Sequence, residues 1–567
     1  MPLKLNRDWH AKHQMPKNPT LAEHVAWHCE HAKHCACRPA PANLAEAMSQ
    51  RGKKGSVRKA SLIFAILLAL SVTLTARPGT DDLAKLKGFE PFVKATLAEF
   101  KVPGVAIGIV KDGKVLYGQG FGFRDIRAGL KVTPHTLFGI GSCSKAFTAV
   151  TMGILIDEGK LEWGKPVRDY LPSFQLSDPL ATEMMTPRDL VLHRTGLPRH
   201  DKVWYKSPLS RKELFDRLRY LDFSRGIRDV YQYNNLMFMT AGLLVEAVAG
   251  QPWEDFARRR ILEPLGMSET NFSVEDSRKS ADFANPYQTV AGEVQLIPFC
   301  NVDAIAPAGA VNSNVSDMAR WVLLNLDKGR FGEKLDKRLI SETVLGQIHT
   351  PQIMIPEERK YDELFFGSYA LGWRVNSYRG HLLLYHGGSI DGFTALVSML
   401  PKDNIGLVIL NNLESGPINY ILAYNIYDRL LGLKPVDWTA RTRDDLAKGK
   451  EAVDKAKADR EKERKPGTVP THPLKNYAGD FEHPAYGRIS VRSEGDRLAA
   501  DFHGLIYNLK HFHYDTFELQ NDLASIDAPL MFLMDAKGDI GSLTIRLEPA
   551  VKEIVFARVV PKAAEKK

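Results

Sequence analysis

Apolar and polar positions change their period between residues 81 and 436, and the change separates strands from helices. Residues 102–122 (VPGVAIGIVKDGKVLYGQGFG) form two apolar runs around a Lys-Asp-Gly turn, which predicts a β-hairpin. Residues 382–412 predict three more strands, with breaks at residues 386–388 and 402–403. Strands at both ends and helical patterns in the middle predict an α+β fold, an antiparallel sheet with a helical region on one side.

The apolar stretch in residues 138–157 (FGIGSCSKAFTAVTMGILID) has the spacing of a buried helix. Ser142 follows a short glycine-bounded approach, and Lys145 comes three residues later, so the two side chains share a face. A serine needs a base to remove its proton, and a lysine is such a base only when burial and neighbouring cations lower its pKa. The alternative is a helix N-cap at Ser142 with Lys145 as a solvated charge. Cys143, turned about 100° away from Ser142, is interpreted as packing.

A charged segment and a proline-rich segment divide the rest of the chain. Residues 441–464 are dominated by Lys, Glu, Asp, Arg and Ala, which predicts a semi-rigid helix, and PGTVPTHP follows. We assign a main domain to residues 81–436, a linker to residues 437–470 and a C-terminal domain, isolated by the hinge, to residues 471–567. Short alternating strands predict that this last domain is a small β-barrel or sandwich.

The N-terminal segment, residues 1–47, is rich in histidine and cysteine. The candidate ligands for a borderline metal such as zinc are His28, His31, Cys35 and Cys37. Their spacing matches no standard zinc-finger pattern, so no metal or other cofactor is assigned. The alternatives are a small helical segment, or sequence upstream of a start at Met48.

Residues 48–76 have the form of a secretory signal, with a basic beginning, an apolar run over residues 60–74 and the small residue Ala76. Translation from Met48 would make the segment a signal peptide, whereas translation from Met1 would make it a signal anchor with its basic side in the cytoplasm. Both alternatives predict a periplasmic or other extracytoplasmic protein. Contact with a membrane is expected only through residues 60–76, when they are not cleaved.

Composition excludes two broad classes of protein. The chain has 567 residues, of which 44% are hydrophobic and 25% charged, as in soluble globular proteins rather than disordered ones. The net charge is +9, but the positive charge is largely in the first sixty residues, and no Lys/Arg stripe with interleaved aromatics follows, so nucleic acid is not an expected partner. The five cysteines are unevenly spread and form no disulfide framework.

Three short motifs follow one another along the main domain: Ser142-x-x-Lys145, Tyr233-x-Asn235 and His386-x-Gly388. Their order resembles the serine beta-lactamase and penicillin-binding-protein superfamily. Within it, the likeness is to class C beta-lactamases, D-alanyl-D-alanine carboxypeptidases and beta-lactamase-related (CubicO-type) esterases and peptidases. The resemblance covers residues 85–430 and implies a beta-lactamase/transpeptidase-like fold. The C-terminal domain resembles a lipocalin-like module attached to such hydrolases, and no activity is assigned to it.

The resemblance implies a role for each residue of the first two motifs. Ser142 attacks a carbonyl carbon and becomes an acyl-enzyme, with Lys145 against its hydroxyl. Tyr233 shares the proton transfer, because neighbouring ammonium groups would lower its pKa and let it act as a base. Asn235 orients the lysine or binds a substrate amide. The backbone N–H groups of Ser142 and Ser389 are expected to form the oxyanion hole.

The third motif departs from the family. Beta-lactamases and many penicillin-binding proteins carry Lys-Thr-Gly or Lys-Ser-Gly where this chain has His386-Gly387-Gly388, with a mostly neutral imidazole and no hydroxyl. Gly388 fits a strand that lets the substrate backbone lie close. The loss of the cation argues against efficient penicillin hydrolysis and favours an ester, a D-amino-acid peptide or an amide. The alternatives are a strand histidine bonded to backbone at His386 and a core-edge tyrosine at Tyr233.

Two functions from different classes fit these patterns. The first is an exported serine hydrolase that acts through an acyl-enzyme on a small-molecule or peptide substrate. The second is a catalytically idle relative that binds peptidoglycan fragments or a protein partner. The presence of all three motifs favours the first function.

Overall fold

The computed structural model describes residues 7–15, 20–34, 80–356, 360–521, 526 and 528–560. Contacts divide the chain into an N-terminal unit that ends at Pro78 and a main unit that begins at Gly79. The predicted signal segment, residues 48–76, lies outside the described residues. Within the residues that are described, no helix is both long and apolar enough to cross a membrane.

In its described residues, 7–15 and 20–34, the N-terminal unit contains two helices, α1 (Arg7–Lys12) and α2 (Leu21–His34). His28 and His31 on α2 are buried, and the His31 ring stacks on Trp27 with centroids 4.9 Å apart. In the described part of the chain, no three His, Cys, Asp or Glu side chains are grouped to hold a metal ion. Cys35 and Cys37 lie outside it, so the zinc hypothesis stays untested.

The main unit is built on a large antiparallel sheet. In the described residues its nine strands lie in the order β10-β11-β12-β13-β14-β15-β1-β2-β3. The strands of the sheet and of three small two-stranded pairs are β1 (Gly104–Lys111), β2 (Lys114–Asp125), β3 (Leu130–Lys131), β4 (Phe138–Gly139), β5 (Tyr287–Val290), β6 (Glu293–Leu296), β7 (Asn312–Ser313), β8 (Arg330–Phe331), β9 (Lys337–Arg338), β10 (Ile353–Met354), β11 (Leu364–Tyr369), β12 (Arg374–Tyr378), β13 (His381–Ile390), β14 (Phe393–Leu400) and β15 (Ile405–Asn411). Strands from both ends of the domain therefore meet in one sheet, as predicted.

Helices connect and cover the strands. They are α3 (Thr80–Lys85), α4 (Phe89–Glu99), α5 (Ser144–Asp157), α6 (Pro179–Met184), α7 (Pro187–Leu190), α8 (Arg211–Arg217), α9 (Asn235–Ala249), α10 (Trp253–Ala257), α11 (Glu263–Leu265), α12 (Val274–Arg278), α13 (Ala306–Gly309), α14 (Val315–Leu326), α15 (Glu342–His349), α16 (Ile418–Leu431) and α17 (Trp438–Glu463). Helices α5, α9 and α14 belong to the core on one face of the sheet, while α4 and α16 pack on the other. The central strands are buried along their whole length because both faces are covered. The expectation of helices on one side is therefore incomplete.

The break predicted at residues 386–388 is wrong. Strand β13 continues through both glycines to Ile390, and the chain turns at Asp391 and Gly392, which both have a positive φ. An Asp-Gly pair at this place is a favoured two-residue hairpin turn. These glycines do not form a turn, and at Gly388 the missing side chain allows a close contact with the turn that carries Ser142.

The C-terminal domain is a closed barrel, as predicted. Among the described residues its eight antiparallel strands follow chain order. They are β16 (Gly479–His483), β17 (Gly487–Glu494), β18 (Arg497–Phe502), β19 (Leu505–His513), β20 (Thr516–Gln520), β21 (Pro529–Met534), β22 (Ile540–Ile545) and β23 (Ile554–Arg558). Aromatic rings pack together in the core, with Phe532 against Tyr477 at 4.9 Å and against Phe481 and Phe517 at 5.7 Å each. The domain resembles lipocalins only loosely, in the shape of its barrel.

The predicted charged helix is present as α17, but the barrel beyond it is not isolated. Barrel and sheet belong to the same compact unit. Arg217 of α8 donates to the carbonyl of Ala485 at 3.1 Å, and Tyr486 of the barrel is fully buried and bonded to His200 of the main domain. The proline-rich segment connects two domains that share a buried interface.

Candidate active site

Ser142 lies in a 3₁₀ turn, Gly141–Cys143, that joins β4 to the central helix α5. The helix is buried from Ser144 to Leu155, so the turn is anchored in the core while Ser142 lines the cleft. Gly141 has a φ of +50°, and a Cβ there would lie 2.7 Å from the amide nitrogen of Ser389. The glycine therefore lets strand β13 approach the serine closely.

Cys143 points inward and bonds to the His386 carbonyl, and burial raises the pKa of its thiol to about 12, which confirms a packing role.

The Lys145 side chain is fully buried beside Ser142. Its Nζ lies 3.0 Å from Ser142 Oγ, 2.7 Å from Asn235 Oδ1 and 2.8 Å from the carbonyl oxygen of Ala308. Burial, helped by the nearby Arg199 guanidinium, holds the Lys145 pKa well below its usual range. A neutral amine has two hydrogens, which the two carbonyl-type acceptors take, so its lone pair faces the serine hydroxyl. This arrangement suits a base and is incompatible with a solvated charge.

Tyr233 is the second side chain that reaches Ser142. Its hydroxyl donates to Ser142 Oγ at 2.7 Å. Its ring packs against the His193 ring, with centroids 4.1 Å apart, and the Arg199 guanidinium lies 4.8 Å from the ring centroid. The expected lowering of the Tyr233 pKa is wrong. Burial outweighs the cations and raises the pKa, so the phenol keeps its proton and acts as a donor in the free protein.

Asn235, the first residue of α9, links the lysine to a loop that sequence reasoning missed. Its Oδ1 accepts from Lys145, and its Nδ2 donates to Asp201 Oδ1 at 2.9 Å. Asp201 in turn accepts from Arg199 Nε at 2.6 Å and from Trp204 Nε1 at 2.7 Å. These bonds fix the amide so that its oxygen faces the lysine. Arg199 and Asp201 belong to no motif, since only the fold brings their loop to α9.

Strand β13 forms the wall opposite the serine. A Cβ at Gly388 would lie 1.9 Å from the carbonyl oxygen of Ile140 and 3.0 Å from the amide nitrogen of Ser142. Ser389, next along the strand, is exposed and lines the cleft. The amide nitrogens of Ser142 and Ser389 therefore both lie close to this contact, and the oxyanion hole expected from them stays a prediction.

His386 does not face the cleft, which corrects its expected place at the substrate. The ring is 2% exposed, with Nδ1 2.7 Å from the carbonyl oxygen of Gly387 and Nε2 2.9 Å from the Tyr369 hydroxyl. Burial lowers its pKa to about 3, so the imidazole is neutral, with Nδ1 donating and Nε2 accepting. His386 is a strand histidine bonded to backbone, the alternative left open by the sequence.

The cleft in front of Ser142 has a cavity volume of about 230 Å³. Its charged lining residues in the described part of the chain are Arg199, Lys202, Asp201, Asp391 and Glu414. Carboxylates outnumber cations, and the Arg199 guanidinium is already paired with Asp201. Asp391 accepts from the Tyr205 hydroxyl and the Cys300 amide. The cleft therefore offers no concentration of positive charge for an anionic substrate.

Replacing Gly388 with alanine is expected to slow covalent labelling of Ser142 by at least about tenfold, because the strand must move away from the serine turn. Gly387→Ala is the matched control, since its Cβ would meet the hydroxyl end of Tyr420 at 3.2 Å and the Ala395 carbonyl oxygen at an ordinary contact distance of 3.8 Å. The measurement is the rate of labelling by a fluorophosphonate probe, with the melting temperature of each variant alongside. Equal rates for the two variants would contradict the importance of this contact.

The antiparallel sheet, the central helix and the Ser–Lys–Tyr cluster together define a member of the beta-lactamase and penicillin-binding-protein-like superfamily of hydrolases. The family model described as Beta-lactamase matches residues 89–429, more than half of the chain, and the chain belongs to that family. A second model, a domain of unknown function (DUF3471), matches residues 463–558, which include the barrel.

Similar proteins agree with this assignment. The chain is 31% identical over 428 residues to an unguisins hydrolase of Aspergillus campestris, covering 72% of this chain and 78% of the relative. It is 26% identical over 340 residues to the protein flp of Staphylococcus aureus, covering 58% and 62%. Among solved structures, an octameric penicillin-binding protein homologue from Pyrococcus abyssi aligns over 83% of this chain and 99% of its own, with 24% identity and a TM-score of 0.56. The similarity to this solved structure shows a shared fold and nothing more.

Proposed function

We propose that the protein is an exported serine hydrolase that acts through an acyl-enzyme on an ester, a D-amino-acid peptide or an amide. One observation carries the proposal: Ser142 Oγ lies within hydrogen-bond distance of both the buried Lys145 amine and the Tyr233 hydroxyl. A nucleophile with a base and an acid on the same oxygen is the arrangement that acyl transfer needs. Export rests on residues 48–76 of the sequence alone.

The geometry suggests how the protons move during acylation. Ser142 Oγ bonds to the substrate carbonyl carbon while its proton passes to the Lys145 lone pair, and the oxyanion is held by the Ser142 and Ser389 amides. As the leaving group departs, Tyr233 gives it a proton. The resulting phenolate is stabilised by Arg199 and by the Lys145 ammonium, each 4.8 Å from its ring.

Deacylation returns the same protons. A water molecule attacks the acyl carbon and gives a proton to the Tyr233 phenolate, while Ser142 Oγ leaves with the proton held by Lys145. The resting state is restored, and the net reaction is hydrolysis. Acylation needs a neutral amine and a protonated phenol at the start, which are the forms that burial favours in the free protein.

Covalent labelling of Ser142 tests the proposal. Purified full-length protein is treated with a fluorophosphonate or a fluorescent penicillin, with Ser142→Ala as the control. We expect stoichiometric labelling of the wild type by the fluorophosphonate and none of the variant. An unlabelled wild type that is also inert toward ester probes would contradict the proposal and favour the idle, ligand-binding relative.

The charge of the cleft predicts a substrate preference. We expect kcat/KM for an uncharged ester to exceed that for benzylpenicillin by about 100-fold, because a charge-assisted hydrogen bond to a carboxylate is worth about 1.5–3 kcal/mol. Where the family has the cation for that bond, this chain has the neutral, buried His386. The matched control is the methyl ester of the same penicillin. Free acid and methyl ester should be hydrolysed at similar rates, and a much slower methyl ester would reveal an anion clamp.

A further inference from the structure

The loop formed by residues 199–205, here called the cleft loop, connects the active site to the barrel. On its inner side, Arg199, Asp201, Trp204 and Tyr205 line the cleft. Asp201 holds the amide of Asn235, and Asn235 holds the Lys145 amine. The position of the cleft loop therefore decides where the base lies.

The outer side of the cleft loop is held by the barrel. The backbone N–H of His200 donates to Glu548 Oε2 at 2.9 Å, and His200 Nδ1 lies 2.7 Å from the Tyr486 hydroxyl. The His503 ring lies between the carbonyl oxygens of Tyr205, at 3.3 Å, and Tyr486, at 3.0 Å. His200 and Tyr486 have no exposed surface, and Glu548 is 7% exposed. These contacts belong to a buried interface between folded domains.

The His200 contacts are specific in geometry. His200 Nε2 lies 2.9 Å from the carbonyl oxygen of Asp222, an acceptor, so Nε2 carries the hydrogen and Nδ1 accepts from the Tyr486 hydroxyl. The backbone of His200 is left-handed, with a φ of +48°. A non-glycine residue keeps this conformation only where its surroundings hold it. The barrel supplies two of the bonds that do so.

We propose that the C-terminal barrel is a positioning element of the active site, in which Glu548 and Tyr486 hold His200 and thereby fix Asp201, Asn235 and Lys145. The inference rests on the proposed hydrolase function and assigns a role to the domain of unknown function. Each link in the chain from barrel to nucleophile is a bond between buried or partly buried groups. No separate ligand for the barrel is needed to explain why the two domains occur together.

Point variants of the full-length protein test the inference. Tyr486→Phe removes one hydroxyl, and Glu548→Ala removes the acceptor for the His200 amide, whereas Glu548→Gln keeps an acceptor oxygen. We expect kcat for an uncharged ester to fall about tenfold in the first two variants, since small displacements of catalytic groups are costly. Glu548→Gln should restore most of the rate.

Matched barrel variants serve as controls. Tyr507→Phe changes another buried barrel tyrosine, and Glu553→Ala removes a carboxylate whose partner, Thr544, lies within the barrel. Both controls should keep wild-type rates. Equal losses in variants and controls would attribute the effect to barrel stability and overturn the inference.

The pH dependence of kcat/KM distinguishes a barrel that positions the cleft loop from one that only stabilises the protein. Loosening the cleft loop admits water to Lys145, which relieves the largest cause of its low pKa and so raises the pKa of the amine. The loop also carries Arg199 and Asp201, whose opposite effects on that pKa are weakened together. The acid limb of kcat/KM should therefore shift to higher pH in Tyr486→Phe and Glu548→Ala. The other titratable groups around the amine belong to the main domain: Asp201, Cys143, His193, Tyr233 and His386.

Hydrogen exchange tests the contact between the barrel and the cleft loop independently of the proposed hydrolase function. The His200 amide should exchange faster in Glu548→Ala than in Glu553→Ala, whatever the chemistry of Ser142. If the wild type labels with a fluorophosphonate but the interface variants keep its rate, pH profile and exchange, the hydrolase stands and the inference fails. If the wild type does not label, the serine mechanism fails, and unchanged exchange at His200 would also overturn the barrel's hold on the loop.

Discussion

Lys145→Ala should lower kcat for p-nitrophenyl esters by roughly 10³-fold, because the variant loses the group placed to take the Ser142 proton. Labelling of Ser142 by a fluorophosphonate should slow to a similar extent, since the attack itself needs the base. Steady-state rates and labelling rates, measured on the same preparations, check this expectation. Near-normal values for either would contradict the role given to the lysine.

A loss of activity in Lys145→Ala supports the role of the lysine only if the variant keeps its fold. Lys145→Met keeps a side chain of similar length and should lose as much activity as Lys145→Ala, with melting temperature and circular dichroism as checks. The wild type should also lose kcat/KM as the pH falls through the lowered pKa of Lys145, because protonation removes the lone pair. Both variants should lack this acid limb, and a retained limb would place the base elsewhere.

Local patterns predicted the elements that carry the nucleophile. Ser142 and Lys145 are three residues apart, so a single helical turn brings them together whatever the rest of the fold does. The hairpin in residues 102–122 is likewise a local feature, and it appears as β1 and β2. The break assigned to residues 386–388 was wrong because a glycine pair is equally suited to a turn and to a strand that another backbone approaches closely.

The groups that determine the electrostatics of the site could not be predicted from the spacing of residues in the sequence. Asp201 reaches Asn235 across 34 positions, and nothing in its own neighbourhood marks it as functional. The Tyr233 pKa was predicted in the wrong direction because nearby cations are visible in a motif, whereas burial depends on the packing of His193 and other distant residues. His386 was expected at the substrate because the motif shows its place in the sequence but not its burial. The folded strand shows that its ring is buried and points inward.

Domain boundaries and domain independence are separate questions. The proline-rich segment after α17 does separate two folded domains, but a hinge in the sequence says nothing about the surfaces on either side of it. His200 and Tyr486 are 286 positions apart and share a fully buried bond. The interface is what makes the barrel relevant to the chemistry of the main domain.

Tyr233→Phe should lower kcat for p-nitrophenyl esters by about 10²-fold, and the loss should fall mainly on deacylation. The p-nitrophenolate ion leaves without needing a proton, so the first acylation can still proceed with Lys145 as base. Water, however, must give up a proton in the second half-reaction, and the variant has no phenol oxygen to take it. In the wild type the Tyr233 proton has by then passed to solvent as the p-nitrophenolate ion departs, which leaves the phenolate as the base. An alkyl ester, whose leaving group needs the tyrosine proton, should lose activity in both halves.

Stopped-flow measurement of p-nitrophenolate release checks this division. We expect a burst with one equivalent per active site, followed by a slow steady state, and acyl-enzyme detectable on Ser142 by mass spectrometry. Tyr427→Phe is the matched control, because its buried hydroxyl also bonds to a serine hydroxyl, that of Ser398 at 2.6 Å, on the other face of the sheet. The control should behave as the wild type. A Tyr233→Phe variant that turns over without a burst and at the wild-type rate would show that the phenol is only part of the packing around the serine.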